Sequence, residues 1–174
     1  MKIYLIRHGE STANKAGIDQ SSGTLLSEHG SEQAKNIAER LSKLKIDLIY
    51  SSPYLRTKQT VEIISDKIKK SIEYWEDLIE VDLPKETFDE INKRSKKVLD
   101  HLISHHKNQT VLCVSHATMI EAIIAKMIFG EDLSEQIMAS IKKHFGTTNT
   151  GISICEFTEK DGWILHTFND SSHL

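Results

Sequence analysis

Short apolar runs alternate with amphipathic helical patterns along most of this 174-residue chain. The alternation restricts the fold strongly, because strands separated by helices form a parallel or mostly parallel sheet that helices cover on both faces. We therefore predict an α/β fold, a three-layer α/β/α sandwich with a mostly parallel central sheet of about six strands. Because a chain of this length needs only one core, we expect a single domain over residues 1–174.

Six runs are rich enough in apolar residues to be strands, and they lie at residues 2–6, 47–51, 71–75, 110–115, 151–157 and 163–168. The segment Glu159-Lys160-Asp161-Gly162 separates the last two runs. So short a connection predicts a hairpin, which would give the sheet one antiparallel edge strand.

Five longer segments have helical patterns. A core-facing stripe predicts a helix over residues 33–44, and Ser52 and Pro53 read as the N-cap and first residue of the next helix. A third helix is expected over residues 85–106, with Pro84 marking its start. The remaining two are predicted over residues 117–128 and 133–143.

Composition and charge exclude several classes of function. The formal net charge is −3, and the basic clusters at residues 67–70 and 93–97 lack interleaved aromatic residues, so we expect no nucleic-acid partner. No apolar run reaches the roughly 18 residues of a membrane span, and no signal peptide is recognisable. Cys113 and Cys155 lie in predicted buried strands, where reduced thiols behave as small apolar groups; this pattern favours a cytoplasmic location.

Polar residues follow two of the predicted strands directly. Arg7 and His8 come after the first strand, and His116 comes after the strand at residues 110–115. Ligands of open α/β sheets bind beyond the carboxyl ends of the strands, and Gly9 would let the backbone approach a ligand closely. If the two strands are neighbours, about 4.8 Å apart, the two imidazoles can flank one small anion.

Arg56 lies in the first turn of a predicted helix, where free N–H groups already favour an anion. Two arginines and two histidines form a pocket suited to a phosphate group, whose oxygens the guanidinium fork can hold in pairs. Nearby cations keep an imidazole neutral and therefore nucleophilic, so attack on phosphorus would give a phosphohistidine. The arginines would stabilise the transferring group, and we expect neither a metal nor another cofactor.

The leaving alkoxide needs a proton, which a carboxylic acid near the site could supply. Glu80, beyond the third predicted strand, is the best candidate, while Glu76, Asp77 and Asp82 are rivals that spacing alone does not exclude. Outside this region, His101 and His105 have the spacing of metal ligands but lack the glutamate of a His-Glu-x-x-His motif. We interpret those two histidines as part of a solvated helix face.

Four blocks of sequence, taken together and in order, resemble the histidine phosphatase superfamily, also called the phosphoglycerate mutase-like family. The resemblance runs from residue 2 to about residue 125. The blocks are Leu5-Ile6-Arg7-His8-Gly9-Glu10-Ser11 with Asn14, Leu26-Ser27-Glu28-His29-Gly30 with Gln33-Ala34, Ser51-Ser52-Pro53 with Leu55-Arg56-Thr57-Gln59-Thr60, and Val114-Ser115-His116.

The resemblance implies a role for each matching residue. His8 would be the phosphorylated nucleophile and Glu80 the general acid. The phosphoryl group would be bound by Arg7, Arg56 and His116, with a further contact from Asn14. Asn14 could instead be an ordinary loop or helix-capping residue. The chain departs from the family pattern directly after Glu80, where Val81-Asp82-Leu83-Pro84 enters a predicted helix.

Only 35 residues separate Glu80 from His116, and one predicted helix fills most of them. Family mutases are longer here, so the resemblance implies hydrolysis by water in preference to return of the phosphoryl group. We predict a phosphatase that acts on a phosphomonoester, either a small metabolite or a phosphoprotein, with no membrane partner. The alternatives are phosphoglycerate mutase-type phosphoryl transfer and a catalytically silent phosphate-binding module; the oligomeric state stays open.

Overall fold

A computed structural model describes residues 1–82 and 85–174 of the chain, so Pro84, the predicted start of the third helix, lies outside the described residues. The strands are β1 (Lys2–Arg7), β2 (Leu48–Ser51), β3 (Ile72–Tyr74), β4 (Thr110–Ser115), β5 (Ile152–Thr158) and β6 (Gly162–Asp170). The helices are α1 (Thr12–Ala16), α2 (Glu28–Leu41), α3 (Leu55–Ile68), α4 (Phe88–His105), α5 (Ala117–Phe129) and α6 (Glu135–His144). Short 3₁₀ turns lie at Glu76–Leu78 and Gly130–Asp132.

The described strands form one six-stranded sheet in the order β3-β2-β4-β1-β5-β6. The first four run parallel to one another, whereas β5 pairs antiparallel with both β1 and β6. This confirms the predicted mostly parallel sheet with an antiparallel pairing at its edge. In the register of β1 and β4, Arg7 lies opposite Ser115, so the next residues, His8 and His116, leave the sheet side by side.

Each face of the sheet carries its own hydrophobic cluster, because successive side chains of a strand point to opposite faces. On one face Leu5 and Val111 pack with α4 and α5, and on the other Ile6 and Leu112 pack with α2 and α3. Cys113 and Cys155 lie buried in the first cluster, where burial raises the pKa of both thiols to about 12. Both therefore stay protonated at neutral pH and pack as small apolar groups.

The predicted start of the second helix was wrong. Tyr54 is the N-cap of α3, so the helix begins at Leu55, and Ser52 lies two residues before the cap. The hydroxyl of Ser52 contacts Nε2 of His116 at 2.9 Å instead. A serine followed by proline after a strand fits the sequence pattern of a helix N-cap. In this protein, however, the hydroxyl of that serine contacts a histidine of the functional site.

Capping side chains set the starts of two other helices. The predicted start at residue 33 was wrong, because Oγ of Ser27 accepts a hydrogen bond from Gly30 N at 2.9 Å and α2 begins at Glu28. The apolar stripe of α2 begins several residues after its N-cap, so the hydrophobic periodicity placed the start of the helix too late. Thr87 and Glu90 form a capping box, so α4 begins at Phe88 and not at residue 85.

Helix α5 is the most deeply buried helix of the described chain. All residues from 119 to 126 are buried, among them the charged residues Glu121 and Lys126. It has only 13 residues, and none of the described helices is long and apolar enough to cross a membrane. The polar residues inside such a helix require partners, and those of Glu121 lie in the functional site.

Gly9 and Gly30 let two backbone segments touch. A Cβ atom on Gly9 would lie 2.4 Å from the carbonyl oxygen of Gly30, and one on Gly30 would lie 1.9 Å from the carbonyl oxygen of Glu10. Gly9 was expected to let the backbone approach a ligand, whereas in the structure it lets the backbone approach α2. The loop after β1 is thereby pressed against the first turn of that helix.

We expect Gly30→Ala to lower the free energy of unfolding by about 1–3 kcal/mol, because backbone atoms must move to accept the methyl group. Urea denaturation of the purified protein measures this. Gly146→Ala is the matched control, since a Cβ at that exposed glycine meets no atom within 4 Å. Equal stability of the two variants would contradict the close contact.

Candidate active site

Two histidines and one arginine meet at the carboxyl end of the sheet. His8 follows β1, His116 follows β4, and Arg56 lies in the first turn of α3. All three are at most 1% exposed. The imidazole centroids are 5.2 Å apart with an angle of 62° between the ring planes. The structure thus brings together the residues that the sequence placed at the ends of separate elements.

The guanidinium group of Arg56 contacts both imidazoles at once. Its Nε donates to Nε2 of His8 at 3.1 Å, and its Nη2 contacts Nδ1 of His116 at 2.9 Å. The remaining nitrogen, Nη1, donates to the carbonyl oxygen of Ser21 at 2.9 Å. Because a guanidinium nitrogen can only donate, each contacted imidazole nitrogen must present a lone pair.

These contacts assign the tautomers of both rings. Nδ1 of His8 lies 2.7 Å from the carbonyl oxygen of Gly9 and therefore carries the proton, which leaves the lone pair on Nε2. Nδ1 of His116 accepts from Arg56, so its proton is on Nε2 and is donated to the hydroxyl of Ser52 at 2.9 Å. His8 thus holds a nucleophilic nitrogen at the centre of the site.

Burial and neighbouring cations keep both imidazoles neutral. Burial contributes most to holding the pKa of His8 well below its usual value of 6.5, and the charges of Arg56 and Arg7 act in the same direction. The pKa of His116 is likewise held well below 6.5 by burial, by His8 and by the same two arginines. Both rings are therefore in the unprotonated form at neutral pH.

Arg7 reaches the site from the end of β1. Its Nη1 donates to the carbonyl oxygen of Thr147 at 2.5 Å, while its Nε is buried and meets no hydrogen-bond acceptor in the described part of the chain. Burial lowers the pKa of Arg7, and the carboxyl groups of Glu80 and Glu121 oppose that shift. A phosphoryl oxygen is the kind of acceptor that this free N–H group requires.

Glu80 lies just beyond the 3₁₀ turn at Glu76–Leu78, a turn that Ser115 ties to the end of β4 by donating to the carbonyl oxygen of Leu78 at 2.7 Å. The backbone N–H of Val81 donates to Oε1 of Glu80 at 2.9 Å. Burial raises the pKa of Glu80, and the attraction of Arg56 and Arg7 only partly offsets it. A carboxyl group with a raised pKa beside two arginines suits a proton donor.

The three rivals of Glu80 are engaged elsewhere or exposed. Asp77 accepts from Nε1 of Trp75 at 2.8 Å and pairs with Nζ of Lys97 at 2.7 Å. Asp82 pairs with Lys85 at 2.9 Å, and Glu76 is exposed. Of the four carboxylates that the sequence left open, Glu80 has the surroundings of a site residue.

Asn14 completes the capping box of α1. Its side-chain oxygen accepts from the backbone N–H of Ser11 at 3.2 Å, and Oγ of Ser11 accepts from the backbone N–H of Asn14 at 3.0 Å. The same side-chain oxygen lies 3.4 Å from the amide nitrogen of Asn149, which also donates to the carbonyl oxygen of His8 at 2.9 Å. The capping alternative therefore describes its contacts, and a phosphate contact stays a prediction.

A cavity of about 600 Å³ opens onto the site. Its lining is mostly polar and includes Arg56 and Glu80, with Lys85 and Asp82 at its outer part. The other lining residues are Asp19, Gln20, Ser21, Ser22, Tyr54 and Val81. Small, polar ligands match the chemistry of this cavity.

Sequence reasoning missed several residues around the site. Thr60 accepts from the backbone N–H of Gly9 at 3.0 Å, and Ser52 contacts His116 as described. Thr147 and Asn149 reach the site from the segment between α6 and β5, and Glu121 reaches it from α5. Ser52 and Thr60 stand in the sequence blocks that carry the resemblance, although no role followed for them there. Glu121 gave a separate signal, since a charged residue inside the apolar stretch of α5 must find a buried partner.

Within residues 1–82 and 85–174, no group of three His, Cys, Asp or Glu side chains has an arrangement that could hold a metal ion. Nε2 of His101 lies 3.3 Å from the hydroxyl of Tyr50, and its ring stacks on that of His105 with centroids 4.3 Å apart. These two histidines therefore form part of an aromatic cluster at the C-terminal end of α4. His101 is only partly exposed, in contrast to the solvated face that the sequence suggested.

A known protein family matches the chain that carries these site residues. The sequence model of the histidine phosphatase superfamily (branch 1) matches residues 3–85 and 83–171. The chain belongs to this superfamily. The matched residues include His8, Arg56 and His116, so the resemblance that four short blocks suggested extends over nearly the whole chain.

Relatives of this chain in the superfamily are named either phosphatases or mutases. Phosphoserine phosphatase 1 of Hydrogenobacter thermophilus is 30% identical over 209 aligned residues, which cover 100% of this chain and 94% of that protein. A probable phosphoglycerate mutase of Erwinia tasmaniensis is 27% identical over 212, covering 100% and 95%. Both alignments are longer than this chain, so both relatives carry residues that it lacks.

A solved structure shares the fold. The crystal structure of phosphoserine phosphatase from Entamoeba histolytica, in complex with 3-phosphoglyceric acid, superposes with a TM-score of 0.85. It is 26% identical, and the match covers 99% of this chain and 98% of that one. The six-stranded sheet and its helices are therefore the architecture of this superfamily.

The hydrogen bonds of this superfamily member predict two opposite tautomers. Long-range proton–nitrogen NMR correlations at pH 6 should show His8 neutral with its proton on Nδ1, and His116 neutral with its proton on Nε2, because burial disfavours the charged forms. The variants His8→Asn and His116→Asn assign the signals. A protonated imidazolium at either position at pH 6 would contradict the geometry described above.

Proposed function

We propose that this protein is a phosphatase that hydrolyses phosphomonoesters through a phosphohistidine formed on Nε2 of His8. The observation that carries the proposal is the neutral, buried imidazole of His8, whose Nε2 lone pair faces the guanidinium of Arg56 at 3.1 Å. A nucleophile and a group that binds phosphoryl oxygens are thus in contact. Membership of the histidine phosphatase superfamily supports the same chemistry.

In the first step, Nε2 of His8 attacks phosphorus and the bond between phosphorus and the ester oxygen breaks. The leaving alkoxide takes the proton of Glu80, whose raised pKa keeps that proton available. Arg56, Arg7 and His116 surround the transferring group and stabilise its charge, which is the main requirement of phosphoryl transfer. The carbonyl oxygen of Gly9 holds the proton on Nδ1 of His8 throughout.

In the second step, water attacks the phosphohistidine and the bond between nitrogen and phosphorus breaks. The Glu80 carboxylate, left without its proton by the first step, takes a proton from the attacking water. Inorganic phosphate leaves, and both His8 and Glu80 return to their starting forms. The two arginines supply the positive charge that stabilises the transferring phosphoryl group, so we expect turnover without an added metal ion.

The substrate that we propose is a small polar phosphomonoester, with phosphoserine as the first compound to test. The cavity of about 600 Å³ is large enough for a metabolite, and its mostly polar lining suits one. Two of the three matched proteins described above are named phosphoserine phosphatases, which supports the same choice. A phosphoprotein is the second substrate class for the test panel.

Phosphoglycerate mutase-type transfer is the alternative activity, since one relative is named a probable mutase. The relative named a phosphatase and the relative named a mutase both carry residues that this chain lacks, so their length does not separate the two activities. Phosphorus NMR distinguishes the two activities directly. Release of inorganic phosphate from 3-phosphoglycerate indicates hydrolysis, whereas formation of 2-phosphoglycerate indicates mutase activity.

We expect His8→Asn to abolish turnover of phosphoserine and of an aryl phosphate, because no other nucleophile replaces Nε2. Quenching the wild-type protein during turnover in an alkaline denaturant, because phosphohistidine is hydrolysed in acid, followed by mass spectrometry, should find a phosphoryl group on His8 alone. The measurement is made in the presence of a chelator. His144→Asn, at an exposed histidine of α6, is the matched control and should retain wild-type turnover.

Three outcomes of this experiment would overturn the proposal. They are turnover by folded His8→Asn, loss of wild-type turnover in the chelator, and a wild-type protein that binds phosphate without hydrolysing any ester of the panel. The last outcome describes a phosphate-binding module that has no catalytic activity.

We expect Glu80→Gln to slow hydrolysis by about 10²–10⁴-fold for alkyl phosphates and much less for aryl phosphates, because an aryl oxide leaves without a proton. Comparing kcat/KM over a series of leaving groups measures this. Glu76→Gln is the matched control at an exposed neighbouring carboxylate. Equal slowing of both ester classes in Glu80→Gln would rule out its role as the acid.

A further inference from the structure

We propose that Ser52 is a positioning residue for His116, whose hydroxyl lets this imidazole move its proton from Nε2 to Nδ1 when a phosphoryl group binds. This role rests on the proposed phosphatase function, since it concerns how His116 binds phosphoryl oxygens. The steps described above use His116 and give Ser52 no part, although the two side chains are in contact at 2.9 Å.

In the free protein, the nitrogen of His116 that faces the site carries a lone pair. Nη2 of Arg56 contacts Nδ1 of His116 at 2.9 Å, and a guanidinium nitrogen can only donate, so Nδ1 must accept. Ionised phosphoryl oxygens are acceptors as well, and they form no hydrogen bond with a lone pair. His116 can therefore stabilise a phosphoryl group only if Nδ1 gains a proton.

Two changes could give Nδ1 this proton. His116 could become an imidazolium with a proton on each nitrogen, or it could stay neutral and give up the proton of Nε2. The side chain is fully buried, and burial together with the charges around it holds the pKa of His116 well below 6.5. Arg7 and Arg56 already balance the charge of a phosphoryl dianion. The neutral route is therefore favoured, and it requires a group at Nε2 that can donate.

The hydroxyl of Ser52 can serve both tautomers. It accepts a hydrogen bond from the backbone N–H of Tyr54 at 3.3 Å, and its other contact is Nε2 of His116. With two lone pairs and one proton, the hydroxyl can accept from Nε2 in one tautomer and donate to Nε2 in the other. Among the described residues, Nε2 is the only acceptor that this hydroxyl meets. The reversed tautomer thus gives the Ser52 proton a partner that it lacks in the free protein.

Neighbouring groups hold Ser52 beside His116. Its backbone N–H donates to the carbonyl oxygen of Val114 on β4 at 3.0 Å, and its carbonyl oxygen accepts from the hydroxyl of Thr57 at 3.0 Å. The ring of Tyr54 lies against the imidazole of His116, with centroids 5.3 Å apart. These contacts keep Oγ of Ser52 next to Nε2 in either tautomer.

The exchange leaves the ring without charge. Nδ1 takes up one proton from solvent, Nε2 returns one proton to solvent, and the hydroxyl of Ser52 turns from acceptor to donor. Nδ1 of His116 then donates to a phosphoryl oxygen, which replaces its contact with Arg56. The freed Nη2 of Arg56 can donate to a second phosphoryl oxygen.

Long-range proton–nitrogen NMR correlations at pH 7, with and without saturating inorganic phosphate, test the exchange in the wild-type protein. We expect the proton of His116 on Nε2 in the free protein and on Nδ1 in the phosphate complex, with a neutral ring in both. The variant His116→Asn assigns the signals. A role of Ser52 in stability alone would leave the proton on the same nitrogen with and without phosphate.

We expect Ser52→Ala to weaken the binding of inorganic phosphate about tenfold, because the complex loses the hydrogen bond of the Ser52 proton, which the free protein does not make. The value of kcat/KM for the best ester of the panel should fall by a similar factor. Ser52→Thr keeps a hydroxyl and should restore both values. Ser104→Ala, at an exposed serine of α4, is the matched control and should bind phosphate as the wild type does.

An imidazolium at His116 in the presence of phosphate, or a proton that stays on Nε2, would overturn the inference. Wild-type phosphate affinity in folded Ser52→Ala would do the same. If that variant does not fold, the wild-type correlations decide, and they need no turnover. If the proposed function fails, wild-type protein gives neither turnover nor labelled His8; if only this inference fails, both remain while phosphate does not move the proton of His116.

Discussion

The contact of one buried guanidinium group with two imidazoles organises this site. Arg56 donates to Nε2 of His8 and contacts Nδ1 of His116, so it fixes the lone pairs of both rings. The protons are thereby directed away, to the carbonyl oxygen of Gly9 and to the hydroxyl of Ser52. Because a lysine ammonium has no planar fork, arginine is suited to this double contact. A phosphoryl group that replaces these contacts would meet a nucleophile and a cation already in place.

Burial shifts the pKa of the Glu80 carboxyl group and that of the His8 imidazole in opposite directions. Withdrawal from water disfavours charge, so it lowers the pKa of His8 and raises that of Glu80. The arginines reinforce the first shift and oppose the second. A neutral imidazole and a carboxyl group with a raised pKa therefore arise from one cause, the exclusion of water at the carboxyl end of the sheet. Glu121 extends the same effect to a second carboxyl group, whose pKa rises to about 7.

The sheet was predictable because its determinants are local. Each strand reads as a short apolar run, and alternation with helices leaves few topologies for such a chain. Helix starts were less predictable, since they depend on single capping side chains. Ser27 lies before the apolar stripe of α2 begins, and Ser52 resembles a cap although its hydroxyl contacts His116. Periodicity detects the buried face of a helix and carries little information on the polar turn that opens it.

The sequence by itself determined which side chains stand at strand and helix ends: His8 after β1, His116 after β4 and Arg56 at the start of α3. Each of these residues lies next to an apolar run or a turn residue in the sequence, so its place at the end of an element can be read locally. Tertiary structure alone decided the tautomers, the different surroundings of Glu80 and Asp77, and the approach of Thr147 and Glu121 to Arg7. Those features depend on burial and on contacts between residues far apart in the chain, and a linear pattern records neither.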